Sequence, residues 1–151
     1  MKTTAVFPGS FDPFTLGHQA IVEKALLLFD ELAIAVGVNA GKQSLFTVDE
    51  RVQSIKDVFK GDARVRVEPY EGLTVDYCKK AGATHMVRGL RTVADFEQER
   101  LMAQANKLML PSVETVFLLA SPEQTFISST VVRDVLKSGG DASNFLPEIK
   151  P

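Results

Sequence analysis

One cysteine, two histidines and no tryptophan in 151 residues leave this chain few of the side chains that carry metal or redox chemistry. Cys78 has no second thiol to pair with and no neighbour at metal-ligand spacing, which excludes an internal disulfide and a zinc cluster. Set in a mixed apolar and polar stretch that reads as a helix, it is a packing residue and fits a reducing compartment. Basic excess is missing too: 17 Lys and Arg stand against 19 Asp and Glu, so no broad positive field attracts nucleic acid or an anionic membrane. No window reaches the roughly 18 apolar residues of a membrane span, and MKTTAVF lacks the apolar core of a secretory leader. The expectation is a cytoplasmic protein with no nucleic-acid and no membrane partner. Three motifs are absent as well: the GxGxxG of dinucleotide binding, the GxxxxGK[ST] of phosphate-binding loops and the GxSxG elbow of hydrolases.

What the chain does have is an alternation. With 45% hydrophobic and 24% charged residues it is predicted to form a single domain over 1–151, with a short tail from about residue 139. Apolar, β-branched runs at Thr3 to Phe7, Leu32 to Val38, Val65 to Val67, His85 to Val87 and Glu114 to Leu119 read as strands. Each is followed by a stretch of helical period. The first helix shows Ile21, Val22, Ala25, Leu26 and Phe29 on one face. The second opens on a capping box, Thr47 with Glu50, and the third, Leu73 to Lys80, ends at Gly82. The fourth runs from Val93 to Met109 before Pro111, its stripe of Leu101, Ala105 and Leu108, flanked by Met102 and Met109, reading as core; the fifth begins at the serine pair Ser128 and Ser129. Strands alternating with helices predict an α/β, Rossmann-like, doubly wound domain: a five-stranded parallel sheet in order 3-2-1-4-5 with helices on both faces. The order reverses between strands 1 and 4, and ligands bind in such a crevice at the carboxyl ends of the strands.

The polar oddities follow strands and therefore share that edge. "FPGSFDPFTLGH" brings Ser10, Asp12 and His18 after strand 1, Lys42 follows strand 2, and Thr74 follows strand 3. "RGLR" brings Arg88 and Arg91 after strand 4, and "ISST" brings Ser128, Ser129 and Thr130 after strand 5. Gly9 and Gly17 would admit a ligand close to the backbone, and helix starts near His18 and Ser128 offer free N–H groups and positive dipole ends. Lys42 and two arginine forks suit phosphate oxygens. The collection predicts a clamp for more than one phosphate. Asp12, acidic beside phosphates, is expected to stabilise the turn before Pro13 rather than to react, and Thr74 alone reads as a helix cap.

"GSFDPFTLGH" and "ISST" resemble the two signatures of the nucleotidyltransferase superfamily with T/HxGH and ISST motifs. Together with "KQSLFTVDER" and "VRGLRTVADFEQE", nearly the whole chain resembles the bacterial phosphopantetheine adenylyltransferase family. The resemblance implies adenylyl transfer from ATP to 4'-phosphopantetheine, giving dephospho-coenzyme A and pyrophosphate, with dephospho-coenzyme A and coenzyme A as product or feedback ligands. It implies His18, Lys42 and Arg91 as catalytic residues. It places ATP against Ser10, Phe11, His18, Gly89, Leu90, Arg91, Glu99, Gln124, Thr125, Phe126, Ile127, Ser128, Ser129 and Thr130. Phosphopantetheine falls to Ser10, Lys42, Thr74 and Arg88. Mg2+ would be held mainly by the ATP phosphates, since no carboxylate cage is evident, and a homohexamer is the family's typical assembly. Gln124 departs from the aromatic residue usual there, and Gln98 from the tyrosine that some members have. A nicotinate or nicotinamide mononucleotide adenylyltransferase, or a non-catalytic nucleotide-binding module, is the alternative.

Overall fold

A computed structural model describes residues 1–149 of the chain. Strands β1 (Thr4–Gly9), β2 (Glu31–Gly37), β3 (Val65–Tyr70), β4 (His85–Leu90) and β5 (Glu114–Leu119) alternate with helices α1 (Leu16–Ala25), α2 (Val48–Val58), α3 (Thr74–Ala81), α4 (Val93–Met109) and α5 (Ser129–Lys137). All pairings are parallel and the order is β3-β2-β1-β4-β5, as the alternation predicts. The middle strands carry unbroken apolar runs, AVF in β1 and LAIAV in β2, because helices cover both of their faces. On one face Phe7, Ile34 and Val36 meet Ile21 and Val22 of α1 and Ile55 of α2; on the other, Val6, Ala33, Ala35 and Met86 meet Tyr77 and Cys78 of α3. Among the described residues no helix is long and apolar enough to cross a membrane.

The seam between β1 and β4 sets the site. β1 pairs with β2 along its whole length, from Thr4 to Gly9, but with β4 only at Ala5 and Val6. Thr3 accepts from Glu31 of β2, while Thr4 accepts from Thr84 beside β4, so alternate residues of β1 face alternate neighbours and Pro8 faces β4. Pro8 has no N–H to offer there, and the two strands part beyond Val6. The crevice expected at the switch point is this opening.

Several boundaries move. β3 continues through Pro69 to Tyr70, past the expected end at Val67; as an edge strand it tolerates a residue without an N–H. β4 continues to Leu90, so Arg88 and Gly89 stand in the strand end rather than after it. α1 ends at Ala25; Phe29, expected on its face, is buried from the following loop. α3 ends where Gly82 takes the left-handed conformation, φ 67°, that glycine adopts without a Cβ clash. The stripe on α4 is not core. None of its 17 residues is buried, and Leu101, Met102, Leu108 and Met109 are 48 to 85% exposed. Helical spacing alone cannot tell an apolar face turned to this sheet from one turned outward.

Candidate active site

Two cavities adjoin at the carboxyl edge of the sheet and share Pro8, Gly9, Ser10, Arg88 and Glu99. One, of about 340 Å³, lies between the start of α1 and the start of α5. Its walls carry Phe11, His18, Lys42, Gly89, Leu90, Arg91, Gln124, Ile127, Ser128, Ser129 and Thr130 of the expected set. The other, of about 540 Å³, runs toward α3 and α4 and is lined by Thr74, Met102, Ala103 and Asn106. Two expected residues line neither: Thr125 donates its hydroxyl to the Pro122 carbonyl, and Phe126 is exposed with its ring edge-on to Phe145. Lys42, expected with the second substrate, lies on the smaller cavity; it is exposed, and among the described residues no carboxylate pairs with it.

His18 owes its state to a cap. Thr15 is the N-cap of α1; its hydroxyl accepts from His18 N–H at 3.4 Å, and its own N–H donates to His18 Nδ1 at 3.0 Å. This is a capping box with histidine in the place glutamate usually takes. Because Nδ1 is an acceptor, the neutral ring carries its proton on Nε2. Phe7, Phe11 and Phe14 surround the imidazole, at centroid distances of 6.3, 5.0 and 5.3 Å. Burial first, then Arg88 and Arg91, hold its pKa down to about 3, so at neutral pH His18 is an uncharged donor.

The two arginines of RGLR are not free cations. Arg88 grips Glu99 from Nε and Nη2 at 2.8 and 2.6 Å and donates from Nη1 to the Pro8 carbonyl at 2.6 Å, taking the acceptor that the parted seam leaves unused. Arg91 pairs with Asp95 one turn along, at 3.1 Å, and Asp95 is held below the usual carboxylate range by bonds from Arg91 and Thr92 that outweigh its desolvation. These carboxylates fix each guanidinium and leave its remaining N–H groups for a ligand. Thr74 bonds Tyr70 Oη at 2.9 Å; it is the first residue of α3 and not the cap, a place taken by Leu73 without a side-chain bond.

Beneath the cavities lies a layer that sequence reasoning missed. Asp12, Thr15 and Arg51 are the buried polar side chains among the described residues, and all three serve the turns after β1 and β2. Asp12 accepts from the N–H groups of Leu45 and Phe46 at 2.9 Å each, so it ties the β2–α2 connection to the β1–α1 connection instead of bracing its own turn. Arg51, on α2, donates to the carbonyls of Ser10, Gly37 and Phe46. Arg133, on α5, reaches the Asp12 carbonyl at 2.8 Å and lines the smaller cavity, and Ser129 Oγ donates to the Pro13 carbonyl at 2.8 Å. Phe11 is held at φ 49°, and its ring fills the space where a Cβ on Gly9 would stand, 2.9 Å away. Gly9, the last residue of β1, is therefore required by the packing of Phe11 in the turn that follows. The available signal was spacing: Arg133 lies three residues from Thr130, and Thr15 three from His18, the interval already read at Thr47 and Glu50.

A parallel sheet opened at its switch point, two helix starts aimed into one crevice and a caged neutral histidine define a nucleotidyltransferase, and the family model described as cytidylyltransferase-like matches residues 6–135. A phosphopantetheine adenylyltransferase from Flavobacterium psychrophilum is 51% identical over 144 residues, covering 95% of each chain. One from Leptospira biflexa is 47% identical over 149 residues, 99% of this chain and 93% of its own. This chain belongs to the phosphopantetheine adenylyltransferase family. The fold alone is shared with a solved bifunctional NMN adenylyltransferase/ADP ribose pyrophosphatase from Francisella tularensis, at TM-score 0.76 and 17% identity, over 100% of this chain and 46% of that one. The chain thus spans about half the length of that bifunctional protein.

Proposed function

We propose that this chain joins the adenylyl group of ATP to the phosphate of 4'-phosphopantetheine, releasing pyrophosphate and dephospho-coenzyme A. The observation that carries the reading is the meeting of two cavities at Ser10, Arg88 and Glu99. The smaller one, between two helix starts and lined by Lys42, Arg91 and Arg133, suits a nucleoside triphosphate. The larger one, with Thr74 at one end and Met102 and Asn106 along its side, suits a long arm of mixed polarity whose phosphate reaches Ser10 and Arg88.

The acceptor phosphate is already an anion and needs no general base. Its oxygen attacks the α-phosphorus in line, a new P–O–P linkage forms, and the bond to the β-phosphate breaks with its electron pair leaving on pyrophosphate. His18 Nε2–H donates to the α-phosphoryl oxygens as charge builds there, while Lys42 and the spare donors of Arg91 meet the leaving pyrophosphate. Among the described residues no group of three or more His, Cys, Asp or Glu is placed to hold a metal ion, and Asp12, Asp95 and Glu99 are each spent on protein donors. An anion-binding donor set of this kind fits Mg2+ that arrives on the ATP phosphates, where it would neutralise part of their charge.

The uncovered face of α4 supports assembly into the family's hexamer, since Leu101, Leu108 and Met109 leave apolar surface beside the larger cavity. Pyrophosphate release with ATP and a panel of acceptors tests the reaction. Turnover is expected with phosphopantetheine; turnover with nicotinate mononucleotide or glycerol 3-phosphate in its place overturns the substrate, and binding of ATP and phosphopantetheine without turnover overturns the enzyme.

A further inference from the structure

Arg51 is an expensive residue to keep where it is. Its side chain is buried at 5% exposure, and among the described residues no carboxylate lies within ion-pair distance, so the groups that meet its charge directly are backbone carbonyls. Those carbonyls come from three separate places. Nη1 donates to Ser10 at 2.7 Å and to Gly37 at 3.0 Å, and Nε donates to Phe46 at 3.2 Å. One guanidinium therefore joins the turn after β1, the end of β2 and the far end of the connection that carries Lys42. A core-filling role is poorly served by a buried, unpaired cation, and an apolar side chain of similar length would do it at lower cost.

The geometry of the peptide says what the arrangement achieves. The Ser10–Phe11 bond is trans, the cis bond of this turn being Asp12–Pro13, and in a trans peptide the C=O and N–H point in opposite directions. Arg51 stands on the side of the turn away from the crevice; it borders a separate apolar hollow with Phe14, Val58 and Leu146 and lines neither of the two joined cavities. Fixing the Ser10 carbonyl toward Arg51 aims the Phe11 N–H the other way, toward the crevice that Ser10 and Phe11 both line. That N–H has no acceptor among the described residues. The positive φ of Phe11 is one a phenylalanine rarely adopts unaided, and the bond from Arg51 to the preceding carbonyl helps to hold it.

We propose that Arg51 is a positioning residue of the transfer reaction. From beneath the site it sets the Ser10–Phe11 peptide so that the Phe11 N–H meets the phosphoryl group in transit, and it keeps the Lys42 connection in register with that turn. The proposal rests on the adenylyl-transfer reading above. Lysine keeps the charge but loses the planar fork that spans three carbonyls, which makes R51K the informative variant. With folded protein confirmed by circular dichroism and active sites titrated, R51K is expected to lose at least about tenfold in kcat at saturating substrates, with both KM values within about threefold of the parent. A kcat within twofold of the parent, or a loss confined to KM, overturns the proposal, even if the melting temperature falls. Should R51K not fold, the parent protein decides by NMR: pyrophosphate is expected to shift the Phe11 amide resonance, and an unmoved Phe11 amide under saturating pyrophosphate overturns the proposal. A parent without adenylyl turnover refutes the underlying reading instead, and the amide shift then still reports whether this peptide faces an anion.

Discussion

α1 and α2 begin with the same device and use it differently. In both, a threonine caps the third residue of the helix and that residue's side chain bonds back to the threonine N–H: Thr15 with His18, Thr47 with Glu50. The box on α2 is exposed, its glutamate accepts at 2.9 Å, and its work ends with the helix. The box on α1 is buried at Thr15, and its third residue has a second polar atom. Spending Nδ1 on the cap leaves Nε2–H as a donor of fixed direction, with no choice of tautomer and, at a pKa near 3, no charge. A local rule of helix initiation thus becomes a way to orient a reactive group once a two-headed side chain replaces a one-headed one.

The contrast can be broken at either box. His18→Ala should lower kcat by about a hundred- to a thousandfold, near 3 kcal/mol of transition-state stabilisation, with a smaller change in KM; steady-state kinetics with both substrates varied would show it, and a KM effect alone would return His18 to ground-state binding. Thr15→Ala should cost about 1 kcal/mol in chemical denaturation and lower kcat severalfold, because the imidazole keeps the backbone donor but loses the hydroxyl beside it. Thr47→Ala should cost about the same stability and leave kcat within twofold; a matching loss of rate would mean that the two boxes are not separable. The remaining effect is one of pH. His18 is held near pKa 3 in the fold against 6.5 when unfolded, so the unfolded chain binds the extra proton between those values. Its contribution is complete above pH 6.5 and is lost as the pH falls below it, so a proton-linked drop in stability toward pH 4 should be smaller in His18→Gln. In the rate, no limb near pH 6.5 should trace to His18; one that vanishes in His18→Gln would show a titrating, not a neutral, histidine.

The sequence made the strand order readable because β1 and β2 carry unbroken apolar runs and every connection has room for a helix. It also pointed to most of the residues that line the crevice, since they lie at or after strand ends and the topology brings those ends together. It did not show their pairings. That Arg88 grips Glu99 depends on where β4 ends and α4 begins, and that Asp12 serves Leu45 and Phe46 depends on two turns 33 residues apart in the chain. Arg51 was hidden by its own helix: in VDERVQ a charged residue after a capping box reads as a solvated face, and only the closeness of the turn after β1 makes it buried. The stripe on α4 failed for the opposite reason, because periodicity records an apolar face without saying what covers it.

The seam between β1 and β4 has a mechanical consequence. Elsewhere in the sheet the strands are stitched along their lengths, but here the stitching stops at Val6 and Met86, and farther on a single side chain, Arg88, reaches across to Pro8. The sheet is thus two panels, β3-β2-β1 and β4-β5, joined at one end like the covers of a book. Resistance to spreading the open end is shared by that guanidinium, which Glu99 also holds, and by Arg133 and Ser129 of α5, which reach the Asp12 and Pro13 carbonyls, so a ligand that competes for Arg88 acts on one of the latches that set the gape of its own site.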